Sequence, residues 1–246
     1  MHFRKHACYL LPPLFIAYAI VAWRVCCLST MSEIKQPTRA GRYTVAERVT
    51  QFSPGVALRL RPAVLQAGLQ YPPRHLAYLA FKAERKLWVY GRDEAQGPWR
   101  YIKTYPVLAA SGEAGPKLRE GDWQVPEGFY QAELLNPNSR YHLSIRLDYP
   151  NAFDRQMAMQ AGRTQLGGDI MIHGDARSTG CLAMGDEAAE DLFILAALAG
   201  KAQLRILVGP WDFRRKPVLL PDAAPDWLPG LYASLHTALA EYPLQG

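Results

Sequence analysis

From His75 onward the chain is cut into short runs of β-forming residues, and this punctuation constrains its fold more than any other feature. HLAYLAFK and KLWVYGR alternate in character and are joined by a charged turn at Ala83-Glu84-Arg85-Lys86, which predicts a hairpin. Residues 99–104 and 105–110 continue the strand character. GPKLREGDWQVPEGFYQAELL and SRYHLSIRL follow, separated by Gly, Pro, Asn and Asp clusters. One helix stands out: Gly185-Asp186 marks its start, acids follow at Glu187, Glu190 and Asp191, and Ala189, Leu192, Phe193, Leu195, Ala196 and Ala199 form an apolar stripe that Gly200 ends. Lys201 then leads into QLRILVG, a core-strand pattern. Elements of both kinds are present and strands dominate, so the expected class is mainly β with helices (α+β).

The flanks read differently. Residues 24–54 are polar and predict a linker with at most a short helix near 45–52. Residues 56–71 look amphipathic, but Pro62 interrupts them and predicts a short helix running only from Pro62 to about Gln70. The organisation expected is therefore a leader over 1–31, a linker with short helices over 32–73, a main domain over 74–209 and a Pro-rich extension over 210–246. That extension, with Pro210, Pro217, Pro221, Pro225, Pro229 and Pro243, is expected to wrap the domain and carry a short helix near 230–241.

With 246 residues, 49% apolar content and four Cys, the chain is not a disordered tail, a collagen-like fibre or a disulfide-dense mini-protein. The net charge of +6 is unevenly placed. Residues 1–31 hold Arg4, Lys5 and Arg24 and no acid, leaving 25 basic against 22 acidic side chains elsewhere, too mild an excess to argue for a nucleic-acid partner. After Arg4 and Lys5, residues 7–23 (ACYLLPPLFIAYAIVAW) carry no formal charge, the pattern of a signal peptide or signal anchor. The basic pair before the run predicts that the start stays cytoplasmic and the remainder is exported. Cys8, Cys26 and Cys27 lie in or beside that segment, so Cys181 is the one thiol of the exported part. An unpaired thiol in an oxidising compartment is either a buried small hydrophobe or a reactive nucleophile.

Reactive residue types concentrate in IMIHGDARSTGCLAM, residues 170–184. A strand delivers His173 at its end, Gly174 permits a sharp turn, and Cys181 returns after Gly180. Fully extended, the eight steps between them span roughly 27 Å, so proximity requires the loop to double back. Gly174, Asp175, Ser178 and Gly180 are types that allow it. A free thiol is only a few per cent ionised near neutral pH, and an imidazole either takes its proton or holds it as thiolate. Attack on an amide creates an oxyanion, for which backbone N–H groups around Thr179, Gly180 and Cys181 are candidate donors. Taken singly, a structural histidine and a buried cysteine account for His173 and Cys181 as well. Ser178 as nucleophile lacks a nucleophile elbow, and no second Cys or His stands at metal-ligand spacing, so no metal and no cofactor is expected.

The segment IMIHGDARSTGCLAM resembles the active-site signature of the L,D-transpeptidase (YkuD-type) catalytic family, in a short-loop branch similar to YafK. GPKLREGDWQVPEGFY is similar to the family's G-x-K-x-x-x-G-D-x-x-T-P-E-G-x-Y run, and YHLSIRLDYPNAFDR to the strand and Tyr-Pro-Asn turn that follow it. The resemblance covers about residues 75–209. It implies a β-sandwich catalytic domain over 74–209, a nucleophile at Cys181, a proton acceptor and donor at His173, a backbone carbonyl at Gly174 orienting the ring, and an oxyanion site from the amides of Thr179 and Gly180. It departs from the commoner pattern, which has about twice as many residues between the two catalytic positions and a second His where Thr179 stands.

What the resemblance implies is a periplasmic enzyme tethered to the inner membrane by residues 7–23 and acting on peptidoglycan stem peptides, with a wall-linked lipoprotein as a further partner. Transpeptidation, hydrolysis of stem peptides or of a lipoprotein link, and a non-catalytic wall-binding module are the outcomes it leaves open. Arg177, Ser178, Arg146 and Tyr149 are the candidate contacts to an anionic stem.

Overall fold

The computed structural model describes residues 42–244. The leader expected over 1–31, including residues 7–23 and Cys8, Cys26 and Cys27, lies outside the described residues. Among the described residues no helix is long and apolar enough to cross a membrane.

The elements are α1 (Val45–Gln66), β1 (His75–Phe81), β2 (Lys86–Arg92), β3 (Arg100–Pro106), β4 (Gly128–Ser139), β5 (His142–Leu147), α2 (Ala152–Gln160), β6 (Met171–His173), β7 (Leu182–Ala183), α3 (Asp186–Ala199), β8 (Leu204–Gly209) and α4 (Leu228–Leu239). The predicted hairpin is β1–β2, paired antiparallel from His75↔Arg92 to Phe81↔Lys86. The expected sandwich of two sheets is not what forms. All eight strands join one mixed sheet in the order β3-β2-β1-β8-β4-β5-β6-β7. The reason lies in β4, whose first four residues pair with β8 while the rest pair with β5 across two register shifts. Such irregularities bend a strand, so one long strand serves both halves of the sheet.

β1 is buried on both sides, as its parallel pairing with β8 at the centre of the sheet requires. Leu76, Tyr78 and Ala80 join the larger core, with Val56, Leu60 and Val64 of α1 and Leu192, Phe193 and Leu195 of α3. Ala77, Leu79 and Phe81 join a second core completed by Leu228, Leu231, Tyr232, Leu235 and Leu239 of α4. The Pro-rich extension is thus an integral wall of the domain.

α1 corrects the sequence reading. It is one helix of 22 residues that passes through both Pro54 and Pro62. A capping box starts it: Glu47 N–H donates to Thr44 Oγ1 (3.1 Å) and Thr44 N–H to Glu47 Oε2 (2.7 Å). Each interior Pro costs about 3 kcal/mol, but complete burial of Val56, Leu60 and Val64 returns roughly 1.5–3 kcal/mol apiece. That stripe, at i, i+4 and i+8, continues through Pro62 and decides the outcome.

Buried charge fixes how the helices seat. Asp191 on α3 is fully buried and binds Arg59 of α1 (2.7 Å), Lys103 of β3 (3.3 Å) and the Tyr105 hydroxyl, which donates at 2.7 Å. Glu127 binds Lys82 (3.0 Å) and accepts from Gly115 N–H (2.8 Å) and the Tyr232 hydroxyl of α4 (2.6 Å). Replacing Asp191 by Asn keeps its shape but removes the charge that Arg59 and Lys103 share, leaving Arg59 with Glu190 (3.1 Å) alone. We expect a loss of about 3 kcal/mol, toward the low end for a buried pair because both cations can reach water. That is roughly a 10 °C fall in Tm for a domain of this size, measured by circular dichroism; an unchanged Tm would refute the load assigned to Asp191.

Candidate active site

β6 and β7 run parallel with Ile172 opposite Leu182 and His173 opposite Ala183. Cys181 immediately precedes β7 and so enters beside Met171, two residues from His173 along the same ladder, a step of roughly 6–7 Å. The eight-residue loop does double back. Gly180 makes this possible with φ +98°, a conformation costly for any residue with a Cβ.

His173 is almost wholly buried, and its Nδ1 lies 2.5 Å from the Gly174 carbonyl oxygen. A carbonyl only accepts, so Nδ1 carries the proton and Nε2 is left with its lone pair. The Tyr141 ring lies against the imidazole at 4.7 Å between centroids. A Cβ on Gly174 would come within 2.5 Å of Asp186 Oδ1 and 2.8 Å of the Tyr141 carbonyl, so glycine alone fits the turn after the histidine. Asp186 holds that turn by accepting from Asp175 N–H (2.8 Å). Glu190, one helical turn on, binds His142 (3.0 Å), the neighbour of Tyr141.

The thiol does not touch the imidazole. Cys181 Sγ accepts from Met171 N–H (3.4 Å) and faces the Asp169 carbonyl (3.5 Å). Burial pushes the Cys181 thiol above its ordinary value, opposed by the Met171 N–H and reinforced by Asp169. Burial also lowers the His173 pKa, against the pull of the Gly174 carbonyl and Asp175. Near neutral pH both shifts favour the neutral thiol and the neutral imidazole.

The remaining sequence candidates are placed unequally. Ser178 Oγ accepts from Cys181 N–H (2.9 Å) and donates to the Cys181 carbonyl (2.5 Å), so it staples the loop instead of facing a substrate. Gly180 N–H is not open, because it donates to Ser111 Oγ at 2.6 Å. Thr179 is exposed, and its N–H has no partner among the described residues. Tyr149 departs from the sequence expectation: its ring is in the core and its hydroxyl donates to the carbonyls of Lys117 (3.4 Å) and Leu166 (3.3 Å), which turns it inward. Arg146 is tied to Glu133 (3.0 Å) and Asp169 (3.2 Å). Arg177 is the exposed candidate: its side chain is 88% exposed and makes a long ion pair with Asp175 (3.7 Å).

Sequence reasoning overlooked Ser111 and Tyr141, which come from distant segments, and gave Asp186 no part beyond starting a helix. It did single out the run that contains Lys117 and Asp122, whose purpose the structure supplies. Lys117 binds Asp122 (2.6 Å), which also accepts from the N–H groups of Leu118 (2.7 Å), Arg119 (2.9 Å) and Gln124 (3.1 Å). Burial works against the Asp122 charge, yet Lys117 and these N–H groups hold its pKa below the usual value. The result is a locked turn leading into β4.

A mixed sheet presenting a histidine at the end of one short strand and a cysteine just before its neighbour defines a candidate cysteine acyl-transfer site. Residues 77–205, from β1 into β8, match the L,D-transpeptidase catalytic domain (YkuD), and the chain belongs to that family. The chain is 36% identical over 136 residues to the Escherichia coli (strain K12) protein named "Putative L,D-transpeptidase YafK", covering 53% of this chain and 52% of that one. It thus spans about half the length of the curated relatives it matches. Among solved structures it is similar to the helical cell shape determining protein Pgp2 from Campylobacter jejuni (26% identity, TM-score 0.43, covering 55% of this chain and 47% of that one). A second is Bd1075 of Bdellovibrio bacteriovorus (24% identity, TM-score 0.39, covering 58% and 50%).

A resting neutral pair has a kinetic signature. The rate of Cys181 alkylation by iodoacetamide in the free protein is expected to climb with pH through the alkaline range, with its inflection above the ordinary thiol value, because burial raises that pKa. A rate already at plateau in mildly acid solution would mean a resting thiolate–imidazolium pair.

Proposed function

We propose that the chain is a cysteine-dependent L,D-transpeptidase acting on peptidoglycan stem peptides in the bacterial periplasm, held at the inner membrane by residues 7–23. The observation that carries this reading is the β6–β7 ladder, which sets Cys181 beside Met171 and two residues from His173, whose Nε2 is left basic by the Nδ1 contact with Gly174. With a stem peptide bound, the thiol turns from Met171 toward the imidazole. Contacts of this kind commonly tighten only in the substrate complex.

As Sγ bonds to the carbonyl carbon on the carboxyl side of meso-diaminopimelate, its proton passes to His173 Nε2 and the carbonyl π pair moves onto oxygen. The oxyanion collapses, the C–N bond breaks, and His173 returns the proton to the leaving amine of the terminal D-Ala. An amine acceptor, from a second stem or a lipoprotein lysine, then attacks the thioester by the reverse sequence of steps. The Tyr141 ring and the Asp186-anchored turn keep the imidazole aligned throughout. Arg177 is the cation we assign to the stem's carboxylate.

The test is incubation of the full-length chain with defined tetrapeptide muropeptides, with and without a lipoprotein acceptor, followed by mass spectrometry. The expected products are a protein adduct lacking the terminal D-Ala and cross-linked dimers, both absent in Cys181→Ala and slowed about 100-fold or more in His173→Ala. Tripeptide or freed lipoprotein without dimers would make the chain a hydrolase. Absence of every product in the wild type would sink the enzymatic reading and leave a wall-binding module.

A further inference from the structure

We infer that Ser111 is a catalytic residue of this site, its hydroxyl donating to the oxyanion formed when Cys181 attacks. The inference deepens the acyl-enzyme reading above and rests on it.

The loop after β3 does not leave the sheet directly. Ala109 forms an antiparallel bridge with Ala183: Ala183 N–H donates to the Ala109 carbonyl (2.9 Å) and Leu108 N–H to the Ala183 carbonyl (2.9 Å). Continued by two residues, that register leads Ser111 to Cys181, and the chain stays beside it, because Gly180 N–H reaches Ser111 Oγ at 2.6 Å. The segment carrying Cys181 is therefore flanked on one side by β6 with His173 and on the other by Ser111. Base and donor thus lie on opposite edges of the segment that carries the nucleophile.

Two hydroxyls touch the backbone at the nucleophile, and their protons differ. Ser178 spends its proton on the Cys181 carbonyl. Ser111 accepts from Gly180, and among the described residues its own O–H has no acceptor, so it is half-buried with a donor to offer. Accepting from Gly180 also polarises that O–H, strengthening the bond it donates. The Gly180 amide, already committed to Ser111, would act through it. The loop is built to hold this position: at Gly112, with φ +88°, a Cβ would lie 2.1 Å from Gln124 Oε1, which itself accepts from Lys82 Nζ (3.1 Å).

Two readouts separate this role from a structural one. Alkylation of Cys181 by iodoacetamide forms no oxyanion, whereas acylation by a tetrapeptide muropeptide does. In the full-length chain, Ser111→Ala is expected to alkylate at the wild-type rate and to acylate about 100-fold more slowly, the scale of losing one oxyanion donor. Ser111→Thr, which keeps the hydroxyl, should recover most of the rate. Wild-type acylation in Ser111→Ala would overturn the inference, and so would a parallel loss of alkylation, which would mean a displaced loop. A wild-type chain that alkylates but never acylates would instead overturn the acyl-enzyme reading on which this one rests.

Discussion

Asp191 sits where no carboxylate could remain without partners, and much of the molecule is arranged to supply them. A lone charge in such a place is prohibitive, so Arg59, Lys103 and Tyr105 must converge on it from α1 and β3. Their convergence fixes the rotation of α3 about its axis. Once that is set, Glu190 and Asp186 fall where they hold His142 and the turn after His173. A single helix thus carries a buried anchor and two site supports, spaced so that fold stability and site geometry cannot vary independently.

How much of this the sequence disclosed follows from range. The β1–β2 hairpin, α3 with its glycine stop and the β8 strand are written in local pattern, and each forms where the pattern puts it. α1 was misjudged because two prolines are a strong local signal, whereas the stripe of Val56, Leu60 and Val64 counts only once α3 and the sheet exist to cover it. The single sheet was hidden for a related reason: β4 looks like one strand, and nothing local tells that its two ends pair with strands as distant as β8 and β5.

The same division runs through the site. His173, Gly174, Gly180 and Cys181 lie in one short segment and were legible together, including the need for a loop that doubles back. Ser111 and Tyr141 reach it from 70 and 32 residues away in sequence from Cys181 and His173, through pairings visible only in the fold. Tyr149 shows the reverse error. The tyrosine of a Tyr-Pro-Asn turn looks available for binding, but here its ring is in the core, and both Lys117 and Leu166 offer its hydroxyl a carbonyl.

A neutral resting pair bears on how such a site survives. Thiolates, not thiols, are the species that oxidise and alkylate, and Cys181 is partly exposed with no second cysteine among the described residues to form a disulfide. In the proposed periplasmic setting, a thiol kept protonated by burial and turned onto the Met171 amide is a poor target for oxidants. The cost is that each turnover must begin with proton transfer to His173, which burial has made a weaker base. That cost is offset if the bound carbonyl is strongly polarised as attack begins. Donors on the far side of Cys181, beside Gly180 and Thr179, are therefore worth more here than in a site with a standing thiolate. The Ser111 edge and the resting protonation state are in this sense one design: the less reactive the free nucleophile, the more its reactivity must come from groups that act only on bound substrate.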